Sequence, residues 1–309
     1  MDKLKYYWFS FKYSLISNYS KNKIFMILSL FFGFIGIGWT LISVYDYFFI
    51  KPNSENILKI FVSNYFGWII TILLLIAIII KRNRTKIKTK IKGTDIYIKI
   101  RYCDIFNQKG AMILASMDTF DTNTTNGLVN PNTLHGKLIE KYYKNKTDLL
   151  EAEIKNSLEL NNQELLETDD ELRGNKDRYE IGSTAILRPE KKVIYFSALS
   201  KMTKNGTVEV RPENLVTFLS NIWVFISQFG DFTENLNIPV IGTGIKRLPS
   251  EFTNQDIIYE IINSFIIASK VGGFCKELQI CLYHKDYKYY DLEKIEKYLD
   301  YLNEYERKF

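Results

Sequence analysis

The stretch Ile238-Pro239-Val240-Ile241-Gly242-Thr243-Gly244-Ile245-Lys246-Arg247 decides the fold class. Four apolar residues closed by a turn signal have the length of a buried strand. The Gly-x-Gly after them turns the backbone so that successive N–H groups converge on an anion-binding concavity. Lys246 and Arg247 add two cations, and a guanidinium can hold a phosphate bidentately. The spacing is neither a Walker A loop nor GxGxxG, so the P-loop and dinucleotide-fingerprint readings are unsupported. A plain strand-to-helix turn is the competing reading of the same residues.

Working outward, Thr253 with Asp256 caps a helix that should stop at Gly272-Gly273, Leu278 to Tyr283 reads as a strand, and Leu292 to Tyr305 as a terminal amphipathic helix. Upstream, Ile96 to Ile100, Ala111 to Ala115 and Val193 to Ala198 read as strands. A helix follows Thr133-Leu134-His135-Gly136 to near Lys144, and another runs from about Glu213 to Phe229 behind Pro212. Leu149 to Leu172, rich in Glu and Asn, reads as a solvated helical excursion. Strands alternating with helices predict an α/β domain with a mostly parallel or mixed sheet. Its ligand is expected at the carboxyl ends of the strands.

The first part of the chain differs in kind. Ile24 to Val44 (IFMILSLFFGFIGIGWTLISV) and Ile60 to Ile80 (IFVSNYFGWIITILLLIAIII) carry no charge. Each is long enough to span a hydrocarbon core of about 30 Å, which predicts a transmembrane hairpin in a membrane-anchor segment, 1–92, followed by a ligand-binding domain, 93–309. Lys/Arg residues crowd both outer flanks while the connector has Lys51 and Lys59. The positive-inside rule then places both termini and the soluble domain in the cytoplasm, as a multi-pass protein of a bacterial inner membrane. Of the chain's net charge of +6, residues 1–92 hold +11 and residues 93–309 hold −5. An acidic recognition domain argues against a nucleic-acid partner. Three cysteines without CxxC spacing and two histidines without partners at ligand spacing predict free thiols and no metal site. Gly33, Gly36 and Gly38 hint at close helix approach in lipid, and so at a homo-oligomer.

A resemblance adds to this reading. The order of Cys103-Asp104-Ile105-Phe106 after one strand, Asp118 after the next, and Ile238 to Ile245 before a helix resembles the macro domain. The resemblance covers residues 93–290 or so and implies a three-layer sandwich with a mixed sheet that binds ADP-ribose and its derivatives. Cys103 to Phe106 is similar to the family's Gly-Asp-Ile-Thr segment, which would bring Asp104 and Ile105 to an adenine. Gly242, Thr243, Gly244, Ile245, Lys246 and Arg247 stand where the second phosphate loop lies. Asn130-Pro131-Asn132-Thr133-Leu134-His135-Gly136 stands at the first, with Asn130, Thr133, Leu134 and His135 as contacts. Asp118, Ser200, Lys201 and Met202 follow strand ends and join the expected site. For Asp104, Asp118 and His135, a purely local hydrogen-bonding role stays open.

The departures bear on activity. Catalytic members carry Asn-Ala-Ala-Asn and a glycine triplet; here Ala115-Ser116-Met117-Asp118 stands instead, with no triplet after it. The resemblance therefore implies a binding module without catalytic residues or a cofactor. Two apolar helices ahead of such a domain resemble the membrane-anchored effector of type II Thoeris anti-phage systems. That likeness implies a TIR-domain partner that consumes NAD and makes an ADP-ribose-derived, histidine-linked signal. On binding it, effectors would cluster, disrupt the lipid bilayer and kill the infected cell. A membrane-tethered ADP-ribosyl hydrolase and an ADP-ribose-dependent recruitment anchor are the alternatives.

Overall fold

The computed structural model describes residues 21–49, 57–125, 127–144, 146–241 and 252–305, with Trp8, Phe11, Lys12 and Ser14. The chain divides into two units, Asp2–Thr85 and Lys86–Phe309.

In the first unit, α1 (Lys21–Phe49) packs against α2 (Ile57–Ile80). Both are long and apolar enough to cross a membrane, and they fit the expected hairpin. Their large side chains point outward: Phe32, Trp39, Phe66 and Trp68 are all exposed. Exposed apolar area on this scale is unfavourable in water, by about 25 cal/mol per Å². Lys59 pairs with Asp46, joining the charged residues at the facing ends of the two helices. A Cβ at Gly33, Gly36 or Gly38 would meet nothing within 4 Å. The glycines do not mediate the contact between these two helices.

The second unit is built on a mixed sheet. Its strands are β1 (Lys86–Lys90), β2 (Tyr97–Tyr102), β3 (Ala111–Met117), β6 (Thr184–Leu187), β7 (Ile194–Met202), β8 (Val208–Glu209), β9 (Thr233–Pro239) and β10 (Cys275–Leu282). The order is β1-β2-β10-β9-β3-β7-β6, with β8 paired to β7. The five central strands, β2, β10, β9, β3 and β7, run parallel; β1, β6 and β8 pair antiparallel. A separate hairpin consists of β4 (Leu165–Thr168) and β5 (Asp177–Tyr179).

Helices cover both faces, giving three layers. On one, α3 (Leu134–Tyr142) and α4 (Thr147–Leu160) bury Leu138, Ile139, Leu150, Ile154 and Leu158 against Met112, Leu114 and Phe196. On the other lie α5 (Pro212–Phe229), α6 (Asn254–Val271) and α7 (Leu292–Tyr305). Trp223 of α5 meets Phe265 of α6 edge-on and stacks on Phe274, and Tyr298 of α7 packs on Tyr259 of α6. Local signals explain the helix starts. Pro212 occupies the first turn of α5, and Thr253 and Asp256 form a reciprocal capping box on α6.

Three expectations need correction. Leu149 to Leu172 is not one solvated helix: α4 buries an apolar stripe, and the chain then turns into the β4–β5 hairpin. The strand expected at 238–241 runs Thr233–Pro239. Residues 86–90, expected within the anchor, form edge strand β1, because Ile87 and Ile91 are buried while Lys86, Lys88 and Lys90 point outward.

Candidate functional site

The carboxyl ends of the five parallel strands meet at one edge of the sheet. Tyr102, Leu282, Pro239, Met117 and Met202 end there. Of the residues expected from sequence to bind a ligand, Asp104, Ile105 and Asp118 follow β2 and β3, Ser200, Lys201 and Met202 are the last residues of β7, and Asn130, Thr133, Leu134 and His135 lie at the start of α3. Gly242, Thr243, Gly244, Ile245, Lys246 and Arg247 follow Ile241 directly but lie outside the described residues.

At the β2 end, Asp104 caps a short 3-10 turn, Ile105–Asn107. Its Oδ1 accepts the Phe106 N–H at 3.0 Å and its Oδ2 the Asn107 side-chain amide at 3.0 Å. The residue is solvent-exposed, whereas Ile105 is buried in the core. Tyr283, half-exposed just after β10, packs on His284, and the Lys137 ammonium lies 5.7 Å from its ring centroid. Burial and then Lys285 hold the His284 imidazole below its usual range.

Asp118 is more constrained. It is buried; Oδ1 accepts the Met202 N–H at 2.7 Å, and Oδ2 lies 2.8 Å from an Arg178 Nη. Its N–H donates to the Ser200 carbonyl at 2.8 Å. Burial raises its carboxyl above the usual range, opposed by Met202 and Arg178. Asp121 is similar: Oδ2 accepts from Thr119 at 2.6 Å and Oδ1 from the Asn175 N–H at 2.8 Å. Phe120 between them has φ of 48°, a left-handed conformation a bulky residue seldom adopts. Edge-on contacts to Phe196 and Tyr179 hold it there. Both carboxylates thus have partners on each oxygen and build the loop.

Asn130 and Thr133 shape the start of α3. Asn130 Oδ1 accepts the Asn132 N–H at 2.9 Å, and Thr133 Oγ1 caps the helix through the Gly136 N–H at 3.1 Å. Leu134 is half-buried, and His135 is buried edge-on against Phe196. On β7, Ser200 and Met202 are buried while Lys201 points to solvent.

Sequence reading missed Arg178, Asn175 and Tyr283, whose roles arise only from long-range contact. It also missed Ser116, whose buried Oγ has no hydrogen-bond partner among the described residues, at a register shift between β3 and β7. A buried hydroxyl in that state is costly. Among the described residues, no group of three His, Cys, Asp or Glu could hold a metal ion.

The model of the family described as "Thoeris protein ThsA, Macro domain" matches residues 98–283. The chain belongs to the Thoeris ThsA macro-domain family. That match runs from β2 to the residue after β10 and includes all five strand ends. A curated relative, Thoeris protein ThsA of Bacillus amyloliquefaciens (strain Y2), is 23% identical over 218 residues, covering 68% of this chain and 71% of its own. Among solved structures, the Oceanobacillus iheyensis macrodomain with ADP aligns at 15% identity and a TM-score of 0.47, over 70% of this chain and 97% of its own. The Trypanosoma brucei macrodomain in complex with ADP-ribose aligns at 9% identity and 0.42, over 63% and 68%. In this ThsA-type domain the sheet is macro-domain-like and mixed, with α1 and α2 preceding it.

Proposed function

We propose that this chain is a Thoeris defence effector that binds an ADP-ribose-derived ligand at the carboxyl edge of its sheet and acts on the lipid bilayer through α1 and α2. The observation that carries the reading is the family match over residues 98–283, which includes the loops of that edge. The macro domain is the ADP-ribose-binding fold, and the phosphate-loop residues Gly242 to Arg247 supply backbone donors and cations for a pyrophosphate. Asp104, Ile105, Asn130, Thr133, Leu134, His135, Ser200, Lys201 and Met202 complete the proposed site. Asp118 belongs to its frame.

The protein works as a sensor and not as a hydrolase. Asp118 and Asp121 already accept hydrogen bonds on both oxygens, so neither is poised to activate water. The signal comes from a TIR-domain partner and is an ADP-ribose conjugate, histidine-linked in this class. Ligand-bound copies assemble as homo-oligomers in a bacterial inner membrane, with both termini and the macro domain on the cytoplasmic side, and damage it. A ligand can drive that assembly only by its difference in affinity for assembled and free forms.

Mass spectrometry of the small molecule that co-purifies with the full chain, after co-expression with a TIR partner, tests the ligand. An ADP-ribose adduct is expected, intact after hours with the protein. Multiple turnovers of that adduct would replace the sensor with a hydrolase.

A further inference from the structure

The β1–β2 end of the sheet has two unlike faces. On one, Ile87, Ile98 and Ile100 are buried, and α7 packs on β1 with Ile295 and Leu299 inward. Directly paired residues share a face. The pairs Lys86 with Arg101, Lys88 with Lys99 and Lys90 with Tyr97 therefore lie together on the other. Lys86, Lys88 and Lys90 are exposed, and Lys99 and Arg101 half-buried. Among the described residues, α7 is the helix that packs substantially on β1.

Among the described residues, two carboxylates pair with Lys88, Lys90 and Lys99. Glu277 lies 2.6 Å from Lys88 and 2.8 Å from Lys99, and Asp95 lies 2.8 Å from Lys90. None of the ion pairs among the described residues involves Lys86. The strip stands out because residues 86–309 as a whole carry a net charge of −1. The strip is small, on the order of 10 by 13 Å from strand spacing and rise, a size for a few headgroups and too short for a duplex groove. Residues 81–85, which bring Lys81, Arg82 and Arg84, join α2 to β1 directly. Charge complementarity and this covalent tether to an apolar helix name the occupant.

We propose that the outer face of β1 and β2 binds the headgroups of anionic phospholipid. The proposal rests on the membrane reading above. A basic residue near an anionic leaflet strengthens attachment about fivefold, and the effect fades within a Debye length. The face would add a charge-based attachment of the ligand-binding domain to an anionic leaflet.

Lysine footprinting of the full chain in nanodiscs tests it. Discs of phosphatidylcholine are compared with discs holding 30% phosphatidylglycerol, using an amine-reactive reagent read by mass spectrometry. Lys86 and Lys88 should be protected about fivefold or more in the anionic discs, losing that protection in 0.5 M salt, with Lys144 and Lys155 unchanged. In the double variant Lys86→Gln, Lys90→Gln, Lys88 should lose most of its lipid-dependent protection. Equal labelling in both discs overturns the proposal. So does protection by added phosphate or duplex DNA without anionic lipid, which would make the face a soluble-anion or nucleic-acid site. A chain that leaves both discs sinks the hairpin reading instead. Footprinting with phosphatidylglycerol vesicles then decides the face, with Lys86 protection supporting it and unprotected Lys86 overturning it.

Discussion

Arg178 of β5 and Asp118 at the end of β3 form an ion pair of 2.8 Å, with side chains 11% and 3% exposed. The same guanidinium donates to the Met202 carbonyl at 2.9 and 3.0 Å, while Asp118 accepts the Met202 N–H. One pair therefore ties the β4–β5 hairpin to the ends of β3 and β7, at the edge where the ligand is proposed to bind.

Removing one partner of a buried pair leaves a desolvated charge, at a cost of about 3–5 kcal/mol. Arg178→Met should destabilise the fold by that order in urea titration. Adding Asp118→Asn should recover a large part of it. Additive losses in the double variant would show that the two residues act independently.

Gly136 lies against the preceding loop. A Cβ there would meet the Asn130 carbonyl oxygen at 2.4 Å and the Pro131 Cα at 2.6 Å. Both are backbone atoms, so Gly136→Ala should displace the loop carrying Asn130 and Thr133 and cost about 1–3 kcal/mol. Thermal unfolding measures the cost, and calorimetry with ADP-ribose should show weaker binding. Unchanged values for both would mean the loop yields freely.

Burial alone would raise the Glu277 carboxyl, but the ammonium groups of Lys88 and Lys99 hold it below its ordinary 4.5. A depressed carboxyl stabilises the fold above its unfolded pKa and loses that contribution as pH falls through its folded one. The parent should be more stable than Glu277→Gln at pH 7, and the two Tm curves should converge below about pH 4. Asp118 and Asp121, shifted the other way, are common to both proteins and leave the difference unaffected. A gap in Tm that persists to pH 3 would argue against the ion triad.

Lys246 and Arg247 should matter through their charge. Hydrogen bonds to charged groups contribute roughly 1.5–3 kcal/mol each. The Lys246→Ala, Arg247→Ala variant should therefore bind ADP-ribose at least about tenfold more weakly, read by calorimetry with the fold checked by circular dichroism. Unchanged affinity in a folded variant would remove both from the site.

Much of the architecture was legible because its causes are local. The uncharged runs around Ile24 to Val44 and Ile60 to Ile80 lie within the helices Lys21–Phe49 and Ile57–Ile80, since length and apolarity alone select such a segment. Thr253 and Asp256 form their capping box three residues apart, and the amphipathic period placed α7 at Leu292–Tyr305. The loops at the strand ends were legible for the same reason, as turn residues after short apolar runs.

Only the tertiary structure decided the rest. KIKTK is a charged flank by composition, and it becomes β1 because β2 offers an edge and α7 covers Ile87. Leu150, Ile154 and Leu158 face the core only because the sheet's apolar face lies beneath α4. Asp118 reads as a solvated loop carboxylate until Arg178, sixty residues on, meets it with both side chains largely buried. Burial and pairing are properties of the assembled layers. A sequence pattern can name residues able to carry a charge, but which of them lose their solvent and gain a partner is settled by what packs across the sheet.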